Sequence, residues 1–270
     1  MANQIHPTAV VDPGAALGEN ITVGPYVIIE GDTVIGDGTR IDAFAQIKRY
    51  TTMGANNVIH SNALIGGEPQ DIKFKDSETR VVMGDGNIIR EFVTVHRGTL
   101  EGRGETRIGS HCMIMAYAHV AHDCILHDHA ILVNCVMLAG HVDIGTHAVV
   151  SGMTGVHQFT RIGDYAFIGG MSGVSLDVPP YTHATGVRGA LRGLNVIGLR
   201  RSGMDRAAVK ALKQAYTTIF RSGMGRKEAL AEAEEVLGHV PEVMKMVEFI
   251  RSSERGVHSD IGMRNGDKDS

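Results

Sequence analysis

The sequence predicts an all-β parallel β-helix followed by a small α-helical C-terminal domain. An aliphatic or Met residue recurs at every sixth position through most of residues 1–180, and the spacing becomes helical beyond residue 204. Composition agrees. The 270 residues include 34 glycines and no tryptophan, with aromatics at 5%, so small and aliphatic side chains must fill the core.

The six-residue series starts at Ile5, Val11, Leu17, Val23 and Ile29 and holds to Ile65. It resumes at Met83, Ile89 and Val95 and then, displaced by one residue, runs from Ile108 to Val174. A period of six is neither the 3.6 of a helix nor the plain alternation of a long strand. It fits a rung made of a short strand and a turn, three rungs closing a triangular coil of 18 residues. The aliphatic residue points inward. The fourth residue after it is often small or β-branched (Ala9, Val27, Ala45, Ala118, Ala148) and fills the space beside it. Glycines directly after the aliphatic (Gly18, Gly36, Gly54, Gly109, Gly145) are expected to relieve the backbone at the corners.

Two segments break the period and must loop out, near residues 66–82 and 97–107. Loops on a rigid solenoid are the usual carriers of binding groups. The repeat should end at Val178-Pro179-Pro180, where prolines cannot donate to a ladder. Residues 181–203 read as a linker. Within 204–252, three helices are expected: Asp205 to Phe220, with Val209, Leu212, Tyr216, Ile219 and Phe220 on one stripe, then Arg226 to Leu237, then Pro241 to Arg251 with proline at its start. Residues 253–270 read as a frayed polar tail.

Several function classes drop out. No run of roughly 18 apolar residues exists, so no membrane span is expected. The start, Met1 to Pro7, lacks a basic region followed by an apolar run, so a cytoplasmic protein is expected. Three cysteines argue against a disulfide framework, and Cys112 and Cys124 occupy the small interior position of their rungs. A net charge of −4 excludes a generally basic nucleic-acid binder. Yet between Gly186 and Lys227 ten basic residues face Asp205 alone, which suits anionic partners.

Histidines carry the sharpest signal. Residues 18 apart stack on neighbouring coils, about 4.8 Å apart. His122, the Gly140-His141 pair and His157 therefore fall near one edge of three successive coils, with His119 ending the rung before His122. Such a column could hold a catalytic zinc with an open position. Alternatively, one imidazole could serve as a general base at neutral pH, with Asp123 orienting it.

The surrounding words select a family. Ala118-His119-Val120-Ala121-His122-Asp123-Cys124, Leu138-Ala139-Gly140-His141-Val142, Val156-His157-Gln158-Phe159, Gly169-Gly170 and Asp177-Val178-Pro179-Pro180-Tyr181 resemble the UDP-N-acetylglucosamine O-acyltransferases, a hexapeptide-repeat family. Thr94-Val95-His96-Arg97-Gly98-Thr99 and Pro69-Gln70-Asp71-Ile72-Lys73 resemble it too, so the likeness spans nearly the whole chain. It implies a left-handed β-helix, an exception to the usual right-handed crossover. It also implies transfer of a 3-hydroxyacyl chain from acyl carrier protein to the 3-hydroxyl of UDP-N-acetylglucosamine, the first step of lipid A biosynthesis. The enzyme would be a homotrimer needing neither a metal nor an organic cofactor, since the carrier-protein thioester is a cosubstrate.

By the same resemblance His122, Asp123 and Gly140 serve catalysis. His122 is the base, and the Gly140 N–H faces the developing oxyanion. Gln70, Asp71, Lys73, His119, His141, His157, Gln158, Asn195, Arg200 and Arg201 contact substrates, and Gly170 limits acyl length. Ile197 and Ser202 depart from the family pattern in the nucleotide-binding segment. Two alternatives stay open: a zinc enzyme of the carbonic-anhydrase type, normally shorter and without the helical tail, and an acyltransferase acting on a UDP-3-amino sugar.

Overall fold

The computed structural model describes residues 2–263. Short strands, mostly of two residues, stack in parallel into three sheets of eleven, nine and eight strands, with one antiparallel strand at the end of the first; the sheets are the three walls of a left-handed triangular prism. Register follows the sequence period: Ile5 pairs with Val23 and Val10 with Ile28. Across the insertions Ile59 pairs with Ile89 and Val95 with Val120, so each loop is extruded and the ladder closes beneath it. Both loops leave from the edge between the second and third sheets, the edge that also carries His122 and His141.

The inward aliphatics form one continuous core. Ile29, Ile47, Ile65, Val95, Val120, Leu138 and Val156 are all buried. In the first coil Ile5 is exposed and Val11 and Leu17 are half-covered, since no described coil lies beneath them.

The corners are not built as expected. Most rungs place one residue in the left-handed region, and that residue is seldom glycine: Tyr26, Phe44, Tyr117, Asp123, His141 and Phe159 have φ of 57, 63, 63, 61, 63 and 62°. Such a conformation costs a non-glycine residue about 1–3 kcal/mol. Stacking of equivalent rings on successive coils offsets it, as in Tyr26 on Phe44 (5.2 Å) and His129 on His147 (4.5 Å). The glycines after the aliphatics serve close approach. A Cβ at Gly145 would lie 2.5 Å from the Asp164 nitrogen, and one at Gly36 would strike the Gly54 carbonyl.

The repeat also runs past the prolines. Thr182–Ala184 joins the first sheet in parallel and Leu191–Leu194 returns antiparallel to it, so residues 181–203 are a hairpin and a short helix rather than a linker. That helix, α1, spans Val196–Arg201, with Asn195 as its cap. Three longer helices follow: α2 (Arg206–Arg221, capped by Asp205), α3 (Arg226–Leu237) and α4 (Pro241–Arg251). Leu212, Tyr216, Ile219 and Phe220 of α2 are buried against the others.

The segment after α4 docks instead of fraying. Val257 bridges to Asp177, and the Leu191 N–H donates to the Ser259 carbonyl at 3.0 Å. Buried Asp260 accepts from Tyr216 Oη at 2.5 Å and from Arg221 at 2.9 Å. Polar residues are buried here because partners distant in sequence satisfy them. Residues 264–270 of the expected tail lie outside the described residues.

Candidate active site

A cleft of about 790 Å³ runs along the second sheet. Its wall is set by strand residues that face outward on successive coils: His119, Met137, Gly155 and Gly173. His122, Gly140, His157 and Gln158 rise from the adjoining edge, and Gln70 reaches in from the first insertion. The cleft thus gathers six of the residues singled out from sequence.

His122 is nearly covered. Its Nδ1 lies 2.8 Å from Asp123 Oδ2. Asp123 is fully buried. Burial alone would raise its pKa, but hydrogen bonds from His122, Thr99 and Arg103 outweigh that and hold it below the ordinary value. His141 meets His122 edge-on at 5.1 Å and stacks flat on Phe159 at 4.3 Å. Burial lowers the pKa of His141 and of His119. His119 Nδ1 shares a proton with Thr94 Oγ1 at 2.7 Å, and its ring meets the buried His96 at 5.0 Å. Burial pushes His96 down to about 4.

Gly140 is the second residue after its strand, on the rung next to His122. The second residue after a strand has an N–H that the ladder does not use. On some rungs a side chain caps it: Glu30 takes that of Arg49 at 3.0 Å, Asp128 that of Ser110 at 2.7 Å, and Asp164 that of Thr146 at 2.9 Å. The Gly140 N–H, like those of His122 and Gln158, finds no acceptor among the described residues, and the Gly140 α-carbon lies against the His122 ring. A backbone donor is thereby left for a ligand beside the imidazole.

His122, Asp123 and His141 offer ligand atoms within 4.8 Å of one another, a spacing a metal ion could use. The donor chemistry opposes it, because the Asp123 oxygens already accept four hydrogen-bond donors that a cation would have to displace. His119 and His157 stand outside this trio, so the expected four-histidine column does not converge on one point.

Other expected residues lie apart from the cleft within this chain. Asp71 caps the Lys73 N–H at 2.9 Å, and Lys73 lines a small separate cavity with Phe74 and Thr99. Asn195 spends its side chain on the Gly198 N–H and the Tyr165 carbonyl. Arg200 lines a second cavity, of about 920 Å³, with Arg192, Arg206, Lys210, Lys213 and Arg221, while Arg201 is exposed. Gly170 does not line the cleft, since residues 152 and 170 occupy turns whereas Gly155 and Gly173 lie in strands on the cleft face. Cys112 and Cys124 are buried interior residues, their thiols pushed by burial up to about 11 and about 12.

Sequence reasoning missed Thr99 and Arg103, which hold Asp123, and Val187 and Arg188, which close the far end of the cleft. The offset between Val95 and Val120 was the available signal for the first pair, since it sets the second insertion beside His122.

Residues 177–258 match the second domain of UDP-N-acetylglucosamine O-acyltransferases, and residues 32–67 and 105–140 match the bacterial transferase hexapeptide family. An acyl-(acyl-carrier-protein)-UDP-N-acetylglucosamine O-acyltransferase from Halorhodospira halophila is 47% identical over 94% of this chain and 98% of its own. One of the same name from Thermodesulfovibrio yellowstonii is 44% identical over 94% and 99%. The solved Francisella novicida UDP-N-acetylglucosamine acyltransferase superposes with a TM-score of 0.94 at 37% identity, covering 98% of this chain and 97% of that one. The Bacteroides fragilis enzyme gives 0.92 at 39%, covering 94% and 99%. With these matches over nearly its full length, the chain belongs to the acyl-(acyl-carrier-protein)-UDP-N-acetylglucosamine O-acyltransferase family.

Proposed function

We propose that the chain transfers a 3-hydroxyacyl group from acyl carrier protein to the 3-hydroxyl of UDP-N-acetylglucosamine, the first step of lipid A biosynthesis, with His122 as general base. One observation carries the mechanism: a His–Asp pair on the cleft wall beside the uncapped N–H of Gly140.

His122 Nε2 takes the proton of the sugar hydroxyl as its oxygen attacks the thioester carbonyl. The Gly140 N–H donates to the oxyanion, a contribution of about 3 kcal/mol in comparable sites. Asp123 stabilises the imidazolium. Collapse breaks the C–S bond, and the proton held by His122 goes to the departing sulfur. Neither a metal nor an organic cofactor enters, and no acyl-enzyme forms.

The basic cavity around Arg200, with Arg201 and Asn195 near it, suits the diphosphate of the acceptor and the acidic face of a carrier protein. The chain acts as a homotrimer in the cytoplasm, where a neighbouring copy completes the cleft and brings Lys73, Asp71 and Gly170 to the substrates. An exposed apolar column on one prism edge, containing Tyr26, Phe44, Phe92, Tyr117, Met153 and Met171, supports self-association. With glycine at 170 a long donor fits, so 3-hydroxymyristoyl carrier protein should outrun the 3-hydroxydecanoyl form.

The test is acyl transfer by wild type and His122→Ala with excess chelator. Turnover that survives chelation and collapses in the variant is expected. Turnover retained by His122→Ala, or lost to chelator, would sink the base mechanism. No helix among the described residues is long and apolar enough to cross a membrane.

A further inference from the structure

The second insertion lends no side chain to the cleft lining, yet it wraps around Asp123. The Thr99 N–H reaches both carboxylate oxygens, at 3.2 and 3.1 Å. The Thr99 hydroxyl meets Oδ2 at 2.7 Å, and the Arg103 N–H donates to Oδ1 at 2.7 Å. Thr106 Oγ1 accepts the backbone N–H of Asp123 at 2.8 Å. Thr99, Thr106 and Asp123 are all buried.

The direction of each proton can be read. The Gly102 N–H donates to Thr99 Oγ1 at 3.1 Å, which leaves the hydroxyl proton for Asp123. A carboxylate supplied with donors in this way only accepts. His122 Nδ1, 2.8 Å from Oδ2, must then carry the proton, and Nε2 keeps its lone pair. Glycine is required at 102, because a Cβ there would run into the Asp123 carboxyl group.

We infer that Thr99 is a positioning residue for acyl transfer: acting through Asp123, its hydroxyl fixes His122 as the Nδ1–H tautomer with Nε2 free. The inference rests on the reading of His122 as general base. A wrong or mobile tautomer removes the base without touching substrate binding, so the effect falls on kcat.

The experiment compares the full-length wild type with Thr99→Val, Thr99→Ser, Asp123→Ala and the double variant Thr99→Val/Asp123→Ala, each checked for folding by circular dichroism. Thr99→Val should lose on the order of tenfold or more in kcat. KM for both substrates should stay within about twofold, and Thr99→Ser should restore kcat to within about twofold of wild type. Because the hydroxyl acts through the carboxylate, adding Thr99→Val to Asp123→Ala should cost nothing further. Full kcat in Thr99→Val overturns the inference, as does failed rescue by serine or an undiminished loss in the Asp123→Ala background. If the valine variant does not fold, Thr99→Ala carries the same expectations. Failure of the underlying reading looks different: His122→Ala would then keep its turnover. An inactive His122→Ala beside a fully active Thr99→Val would overturn the role of Thr99 alone.

Discussion

The α-carbon of Gly140 lies against the edge of the His122 ring, so closely that a Cβ there would sit 2.5 Å from Cε1 and 2.7 Å from Nε2. No side chain can occupy position 140 while the imidazole keeps its place. Gly140→Ala should therefore displace the ring, and a shift of about 1 Å in a reacting group costs on the order of 10²-fold. Steady-state kinetics should show that loss in kcat with the thermal midpoint within a few degrees of wild type. An alanine variant of normal kcat would show that the ring does not need this position.

His96 should make stability depend on acid. Its folded pKa, about 4, lies below the ordinary 6.5 because burial disfavours the cation. Between those values the unfolded chain binds more protons than the folded one, so stability rises with pH across that window. It is fully present above pH 6.5 and falls by up to about 3 kcal/mol as pH drops to 4. Urea midpoints measured across that range should slope less in His96→Gln than in wild type. Equal slopes would show that His96 is not held neutral.

The interior thiols should be silent. Cys124 is fully buried and its thiol is pushed up to about 12, so no thiolate forms at neutral pH. Cys124→Ala should keep kcat within about twofold, while losing a little stability from the small cavity. Trapping of an acyl-thioester on Cys124 by mass spectrometry would contradict direct transfer.

The docked C-terminal segment should be separable from chemistry. Asp260→Ala would strand the buried Tyr216 hydroxyl and free Arg221, at a cost of about 2 kcal/mol or more. Half of the Arg221 side chain remains in water, so most of that loss belongs to Tyr216 and the segment itself. A lower denaturant midpoint with faster amide exchange over residues 253–263 is expected, with kcat unchanged at low temperature. Unaltered exchange there would show that Asp260 does not fasten the segment.

Much of this was legible in the sequence, and the reasons are physical. Ile29, Ile47 and Ile65 were legible because an inward position tolerates little but an aliphatic, and 18-residue stacking then brought His122 and Gly140 together. The corners were not, because Tyr26, Phe44 and His141 are poor left-handed formers held there by rings on neighbouring coils. The hairpin at 182–194 was missed because glycines at 186, 189 and 193 give it no period. The docked tail was missed because Asp260 reads as a surface residue until Tyr216 is known to lie opposite. Thr99 belongs to the same class, since its partner Asp123 is 24 residues away across an irregular loop.

Both insertions emerge from one edge and leave the other two edges of the prism uninterrupted. Distance along this molecule is consequently counted in whole coils, about 4.8 Å each. The spacing between His122 and the basic surface near Arg200 cannot be tuned continuously; it changes by a full step or not at all. A gain or loss of one coil between them would shift the two against each other in a single event, whereas changes within a loop leave that gauge unmoved.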